Sequence, residues 1–187
     1  MHPGKLSIIL LAYQSEKRLE KAVTEIDTSL SAAGIPHEIV IIDDGSTDQS
    51  FAKARELAQR MENISAYSLS RNYTSPMAQF AGLEMCTGQC ACPMPDDGQR
   101  PIAHIIDMYR LWEKGHKIIL GYREGRDDGR VNDFFSNGYY SFMNRFSEIT
   151  FPPGGSDGYL IDREIIDLLN TRISKRNTTP VIELLKL

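Results

Sequence analysis

The chain has 187 residues, 41% of them hydrophobic, which is enough apolar material for one globular domain with a substantial core. Its 21 basic and 25 acidic residues give a formal net charge of -4, which argues against a protein that binds nucleic acid mainly through phosphate contacts. The longest apolar run, residues 8–12, is too short to cross a membrane, and the N-terminus lacks the pattern of a signal peptide. We therefore expect residues 1–187 to form a single soluble, cytoplasmic domain.

Strand and helix patterns alternate along the chain. Residues 7–12 are apolar on both faces, as in a central strand of a parallel sheet, and residues 16–33 repeat apolar side chains at helical spacing. Further strands are predicted, with helical patterns between them, at residues 38–42, 65–69, 89–94, 117–122 and 159–161. This order predicts an α/β fold, a doubly wound, mostly parallel open sheet with helices on both faces.

The second predicted strand ends in a polar turn with two adjacent carboxylates, Asp43 and Asp44. Gly45 can take a positive φ in this turn, and Ser46 or Thr47 can cap the next helix. A capped strand-to-helix turn explains each of these residues taken singly. Two adjacent acids are harder to explain as capping alone, because each repels the other unless hydrogen-bond donors or positive charge offset it. Ligands of open α/β sheets bind at the carboxyl ends of the strands, and a nucleoside supplies donors in its ribose hydroxyls and base N–H groups. The turn therefore predicts nucleoside binding.

A family resemblance begins at this turn. Residues 41–48, with the sequence IIDDGSTD, are similar to the nucleotide-binding motif of the family 2 glycosyltransferases, which have the GT-A fold. Residues 6–16 resemble the first strand and loop of the same family, in which an aromatic residue stacks near the base. The resemblance runs from Leu6 to about Arg176 and favours the polyprenyl-phosphate sugar transferases. It implies nucleotide contacts by Tyr13, Glu16, Asp43, Asp44, Arg71 and Asp96.

Arg71 has two interpretations. It follows the third predicted strand in a segment that resembles the polyprenyl-phosphate sugar transferases. A guanidinium at a strand end can pair with a phosphate or with Asp44. The alternative is a solvated surface arginine.

The fourth predicted strand ends in an acidic loop, residues 94–101. In the resembling family this loop commonly reads Asp-x-Asp-x-Gln-x-Pro and holds a divalent metal, which prefers hard oxygen ligands. Aligned on Gln99, the second acid is Asp97, and the first is replaced by Pro95, which offers no ligand. Three interpretations follow: Asp96 stands in for the missing acid, Asp97 and Gln99 hold Mg²⁺ or Mn²⁺ with more water, or the site has lost metal-dependent chemistry.

Two later segments complete the resemblance. Residues 121–130 form a polar loop with three arginines, Arg123, Arg126 and Arg130. Lipid-linked members of the family use arginines of this loop against the diphosphate, so the resemblance implies phosphate binding, and a catalytic role for Arg123; the alternative is a solvated loop. Residues 154–163 resemble the family segment that places an acid near the acceptor, which implies that Asp157 is a catalytic base; the alternative is a turn residue that follows two glycines.

The leading hypothesis is an inverting glycosyltransferase that moves a sugar from a nucleoside-diphosphate sugar to polyprenyl phosphate or a glycan, assisted by Mg²⁺ or Mn²⁺. The alternative is a non-catalytic nucleotide-sugar-binding module whose metal site has degenerated at Pro95. A nucleotidyltransferase lacks support, because no Gly-rich N-terminal loop with a basic residue is present. The apolar C-terminal segment, residues 182–187, predicts a terminal helix. Continuation into a missing segment, packing on a partner and contact with the cytoplasmic face of a membrane stay open.

Overall fold

A computed structural model describes residues 4–122, 156–175 and 177–187. The strands of this part are β1 (Leu6–Ala12), β2 (His37–Asp43), β3 (Ile64–Ser68), β4 (Cys90–Pro95), β5 (Ile118–Tyr122) and β6 (Ser156–Asp162). Its helices are α1 (Leu19–Ala32), α2 (Ser50–Arg60), α3 (Ser75–Met85), α4 (Ile102–Glu113), α5 (Arg163–Arg172) and α6 (Pro180–Leu185). None of these helices is long and apolar enough to span a membrane.

The strands form one mixed sheet in the order β3-β2-β1-β4-β6-β5. The first four strands in this order run parallel to one another, whereas β6 runs antiparallel to both β4 and β5. β1 lies at the centre and is buried at every position except Leu11, which is half-buried. A strand that is apolar on both faces needs cover on both faces, and the structure supplies it. The predicted mostly parallel α/β sheet is confirmed.

Helices cover the two faces of the sheet and form two hydrophobic cores. On one face, α1, α2 and α4 pack against β1 side chains such as Ile8 and Leu10. On the other face, α3, α5 and α6 pack against Ile9 of β1 and Val40 and Ile42 of β2. Successive side chains of a strand point to opposite faces, so the apolar run of β1 contributes to both cores. The doubly wound arrangement follows from this burial.

The predicted strand boundaries agree with the structure within one residue except at β6, which begins earlier than predicted. The predicted start of α1 at residue 16 is wrong, because the helix begins at Leu19. Ser15 accepts backbone hydrogen bonds from Arg18 and Leu19, both at 2.9 Å, so residues 15–18 form a turn that precedes the helix. Side chains of this turn can therefore form contacts with the loops at the end of the sheet.

Two prolines end the pairing of β4 with β6. In the described part of these strands, the ladder consists of two residue pairs, at Cys90 and Ala91. Asp96 donates its amide toward β1, so the alternation of the strand turns the backbone groups of residues 93 and 95 toward β6. Pro93 and Pro95 have no amide hydrogen to donate in that direction. The two strands consequently separate toward the carboxyl end of β4.

Candidate functional site

The loops that follow β1 to β4 meet at one edge of the sheet and are joined by backbone hydrogen bonds. Asp44 donates its amide to the Ala12 carbonyl at 2.9 Å, and Leu69 donates to the Asp43 carbonyl at 2.9 Å. Asp96, the first residue after β4, donates to the end of β1 at 3.3 Å. Three acidic residues predicted to bind nucleotide therefore lie at the same edge, where ligands of such sheets bind.

Asp43 is buried at the end of β2, with 1% of its surface exposed. Its Oδ2 accepts hydrogen bonds from Ser68 Oγ at 2.7 Å and from the Ser46 amide at 3.3 Å. Its Oδ1 is also buried, and no donor among the described residues reaches it. Buried carboxylate oxygens are almost always satisfied in folded proteins, so Oδ1 is an acceptor available to a ligand.

Asp44 is 6% exposed and holds the segment that follows β3. Its Oδ1 accepts a hydrogen bond from the Tyr73 amide at 2.8 Å. Arg71, one of the predicted nucleotide contacts, does not pair with Asp44: its guanidinium lies over the Tyr73 ring, 4.7 Å from the centroid. Hydrogen bonds from Ser70 and Arg71 lower the pKa of the Tyr73 hydroxyl. Arg71 therefore stays at the exposed rim of the site.

The loop after β1 is attached to the turn after β2. Three of its backbone amides donate to side chains of that turn or of the first residue of α2: Gln14 to Ser46 at 2.9 Å, Ser15 to Ser50 at 2.6 Å and Glu16 to Asp48 at 3.3 Å. The Tyr13 side chain remains 42% exposed, and Glu16 is exposed beside it. An exposed aromatic ring next to buried acids provides a flat surface on which a base can stack.

The predicted capping of α2 by Ser46 or Thr47 is wrong. The helix begins at Ser50, and its amide donates to Asp48 Oδ1 at 3.0 Å. Ser46 Oγ instead accepts the hydrogen bond from Gln14. The turn is longer than the minimal strand-to-helix connection, and its hydroxyl groups join two loops rather than end a helix.

Asp96 faces inward from the acidic loop. Its side chain is 4% exposed, and Oδ1 accepts a hydrogen bond from Arg18 Nε at 3.1 Å, whereas no donor in the described part of the chain reaches Oδ2. The arginine balances the charge that Asp96 would otherwise bring into a buried position. Arg18 thus occupies Oδ1 and leaves Oδ2 open to a ligand, and the assignment of Asp96 to nucleotide or metal stays a prediction.

Asp97 and Gln99 lie at the exposed tip of the same loop, where the Gln99 amide donates to Asp97 Oδ1 at 3.0 Å. Within the described ranges, no group of three or more His, Cys, Asp and Glu side chains is arranged to hold a metal ion. One carboxylate and one side-chain carbonyl are hard oxygen ligands of the kind that Mg²⁺ and Mn²⁺ prefer. These two residues fit such an ion provided that phosphate oxygens and water complete its coordination.

A pocket of about 220 Å³ occupies the gap between β4 and β6. Its walls include Pro95, Tyr159 and Arg100, and the Arg100 guanidinium donates to the Pro93 carbonyl at 2.8 Å. The same guanidinium packs against Gly158, where any side chain would overlap it. The pocket thus joins the acidic loop to the beginning of β6.

The remaining predicted residues fall outside the described part of the chain. These are Arg123, Arg126 and Arg130, together with the side chain of Asp157, whose backbone belongs to β6. Their assigned roles stay predictions.

Sequence reasoning missed three residues of the site: Arg18, Ser68 and Arg100. Each acts through a contact between distant segments, and Arg18 lies 78 positions before the carboxylate that it binds. A basic residue directly after Gln99 in an acidic loop was a signal for Arg100. Ser68 and Arg18 have no comparable signal in the sequence.

The model of the family described as "Glycosyl transferase family 2" matches residues 7–168. The chain belongs to this family. The match includes the turn with Asp43 and Asp44, the acidic loop and most of α5, so every part of the site described above lies inside the region that defines family 2.

Relatives of this family 2 domain are longer than the chain itself. A glycosyltransferase of Synechocystis sp. is 28% identical over 166 residues, which cover 88% of this chain and 52% of that protein. A bactoprenol glucosyl transferase of Shigella phage SfX is 29% identical over 167 residues, which cover 87% of this chain and 54% of that protein. The chain thus spans about half the length of the curated relatives it matches.

Solved structures confirm the fold of the family 2 domain. The glucosyl-3-phosphoglycerate synthase of Mycobacterium tuberculosis, crystallised with Mn²⁺, UDP-glucose and phosphoglyceric acid, has a TM-score of 0.60 against this chain. The likeness covers 87% of this chain and 57% of that one, at 16% sequence identity. At this identity the likeness shows the fold alone. The predicted GT-A fold is confirmed.

Proposed function

We propose that this domain binds a nucleoside-diphosphate sugar and transfers the sugar, with inversion, to polyprenyl phosphate. The observation that supports the proposal most directly is the buried Asp43 Oδ1, which no donor in the described part of the chain reaches. It lies in the same cluster of loops as the exposed Tyr13 ring. A nucleoside fits both features, because its base can stack on an aromatic ring while its N–H or hydroxyl groups donate to a carboxylate.

In the proposed mechanism, the loops at the carboxyl edge of the sheet divide the contacts to the donor among them. Tyr13, Asp43 and Asp44 hold the nucleoside, and Glu16, Arg71 and Asp96 line the surroundings of its ribose and phosphates. Asp97 and Gln99 hold Mg²⁺ or Mn²⁺. The ion, when bound, offsets the negative charge of the leaving diphosphate. Arg123, Arg126 and Arg130, which follow β5 in the sequence, contact the diphosphate.

Transfer with inversion requires the acceptor oxygen to attack the anomeric carbon from the side opposite the diphosphate. The bond from that carbon to the acceptor oxygen forms as the bond to the diphosphate breaks. Asp157 removes the proton of a hydroxyl acceptor. A phosphate acceptor is already ionised at neutral pH, so Asp157 then positions it. Polyprenyl phosphate is favoured over a glycan because several relatives are bactoprenol glucosyl transferases.

The same site also fits a non-catalytic module that binds a nucleotide sugar. Pro95 and the inward orientation of Asp96 favour this second candidate, because both reduce the number of ligands available to a metal. Its nucleotide site would be unchanged. The two candidates differ in sugar transfer, which can be measured directly.

The first experiment tests nucleotide binding. We expect the chain to bind one of UDP, GDP and dTDP more tightly in the presence of Mn²⁺, as measured by isothermal titration calorimetry. Asp43→Asn should weaken that binding about tenfold, equivalent to about 1.4 kcal/mol, because an amide places a donor where the ligand also donates. Asp27→Asn is the control, since Asp27 also accepts a side-chain hydrogen bond, from Asn63 at 2.9 Å, away from the site.

The second experiment distinguishes the enzyme from the module. The preferred sugar nucleotide is incubated with a short-chain polyprenyl phosphate and Mn²⁺, and transfer is followed by mass spectrometry. Sugar on the lipid supports the enzyme, whereas tight binding without transfer or sugar release supports the module. If none of the diphosphates binds, both candidates are wrong.

A further inference from the structure

One arginine joins the loop assigned to the base with the loop assigned to the metal. Arg18 lies at the N-terminal boundary of α1, and its Nε donates to Asp96 Oδ1 at 3.1 Å. Its Nη2 donates to the Tyr13 carbonyl at 2.9 Å and to Ser15 Oγ at 3.1 Å, and its Nη1 donates to the Gln14 carbonyl at 3.3 Å. A single guanidinium thus bridges the loop after β1 and the loop after β4.

The two members of the ion pair have very different exposure. The Arg18 side chain is 47% exposed, whereas that of Asp96 is 4% exposed. A buried carboxylate requires a compensating donor, and among the described residues Arg18 is the one that reaches Asp96 Oδ1. The arginine therefore stabilises the acidic loop in this position. Because Asp97 follows Asp96 directly, any shift of Asp96 also moves the predicted metal ligand.

The loop on the other side of Arg18 has an unusual backbone conformation. Gln14 has a φ of +49°, in the left-handed region that non-glycine residues rarely occupy. Such a conformation persists when its surroundings determine it in several ways. Arg18 accounts for part of this constraint through the Gln14 carbonyl, and Ser46 for another part through the Gln14 amide. The backbone of Tyr13 is thus held in place through its own carbonyl, which accepts a hydrogen bond from Arg18 Nη2.

We propose that Arg18 is a positioning residue that couples the base-binding loop to the metal-binding loop, so that nucleoside and metal bind cooperatively. This inference rests on the proposed function. In this role the Arg18 guanidinium contacts neither the nucleoside nor the metal. It keeps Tyr13 and Asp97 at a fixed separation, and a ligand that orders one loop orders the other. Its planar fork makes this possible, because five N–H donors can serve both loops at once, whereas an ammonium group acts as a single point charge.

The test measures the factor by which Mn²⁺ tightens binding of the preferred diphosphate among UDP, GDP and dTDP. We expect Arg18→Gln to reduce this factor about fivefold or more, within the usual range of coupling between two sites. Arg18→Lys should remain folded, because it still offsets the Asp96 charge, and should also lose most of the factor. In a double variant with Asp96→Asn, the factor should fall no further than in Arg18→Gln, since both changes break the same bridge.

Arg110→Gln is a matched control. Arg110 is 44% exposed, pairs with Glu113 at 2.8 Å and donates to the Ala33 carbonyl at 2.8 Å, but lies away from the site. Its replacement should leave the Mn²⁺ factor unchanged. If Arg18→Gln and Arg18→Lys weaken binding equally with and without Mn²⁺, or if Mn²⁺ has no effect on the wild type, the coupling role is wrong. Failure of the wild type to bind any diphosphate would instead overturn the proposed function.

Discussion

At the scale of single residues, position 95 determines how many oxygen ligands the acidic loop can offer a metal. Pro95 has no side-chain oxygen, and its neighbour Asp96 turns inward to Arg18. Asp97 and Gln99 are then the exposed ligands of the loop. Two protein ligands leave most of the coordination of Mg²⁺ or Mn²⁺ to phosphate and water. We therefore expect the metal to bind weakly in the absence of the nucleotide.

Restoring an acid at this position should strengthen metal binding. Pro95→Asp is expected to tighten Mn²⁺-dependent binding of the diphosphate about tenfold, or about 1.4 kcal/mol, because a second carboxylate joins Asp97 at the strand end. Pro95→Asn releases the backbone in the same way without adding charge and should have little effect. Asp97→Ala should remove the effect of Mn²⁺. Equal gains from the aspartate and the asparagine, measured by calorimetry, would contradict this assignment.

At the scale of elements, the turn after β2 is packed tightly against the segment after β3. Gly45 has a φ of +68°, as its position in the sequence predicted, and a Cβ at this position would lie 2.6 Å from the Arg71 Cα. Gly34, at the end of α1, has nearly the same φ of +66° but no atom within 4 Å of such a Cβ. The two glycines thus separate the cost of backbone conformation from the cost of contact.

Alanine substitution at these two glycines should have unequal effects. Gly34→Ala is expected to cost about 1 kcal/mol, from the left-handed conformation alone. Gly45→Ala should cost about 3 kcal/mol, because the Arg71 backbone must also move. It should also weaken diphosphate binding, since the turn carries Asp43. Urea denaturation measures the first effect and calorimetry the second; equal losses of stability would show that the turn is not closely packed.

At the scale of the whole molecule, the two ends of the parallel strands differ in how their polar groups are satisfied. At the amino end, Glu38 of β2 accepts hydrogen bonds from Lys5, Ser7, Thr87 and Gly88, at 2.6 to 3.1 Å. At the carboxyl end, buried oxygens of Asp43 and Asp96 have no donor within the described ranges. The saturated end joins β1, β2 and the turn before β4, and the other end is free to bind.

The saturated end should govern stability in acid. Burial raises the pKa of Glu38, but hydrogen bonds from Ser7, Thr87 and Lys5 outweigh burial and lower it to about 2. Its stabilisation is therefore fully present above the ordinary value of 4.5 and is lost as the pH falls toward 2. Glu38→Gln should lower the free energy of unfolding by about 1 to 2 kcal/mol at pH 7.

Denaturation series at several pH values test this expectation. The difference between wild type and Glu38→Gln should shrink below pH 4.5 and vanish near pH 2. Glu25→Gln, at an exposed position of α1, should show no such difference at any pH. A difference that stays constant with pH would mean that the charge of Glu38 does not contribute.

How far the sequence predicted this molecule depends on the distance between interacting residues. Sheet, helices and the acidic turn followed from apolar periodicity and from the order of elements, because both are local patterns. The pairing of Arg18 with Asp96 could not be predicted in this way, since it joins residues 78 positions apart and depends on the inward orientation of one carboxylate. The late start of α1 could not be predicted for the same reason. Ser15, Glu16 and Arg18 form hydrogen bonds with residues of other segments, and the helix begins only after them.

The gap between β4 and β6 also bears on how readily a ligand can enter. Pro93 and Pro95 offer β6 no amide hydrogen, so in the described part of the two strands no hydrogen bond from these two amides has to break before the pocket is occupied. A pocket that is open before binding spends little binding energy on rearrangement. Its other side chains can change to suit a different ligand while the two pyrrolidine rings keep the strands apart. The two prolines thus determine whether a ligand can enter the pocket, and the other side chains of the pocket determine which ligand it binds.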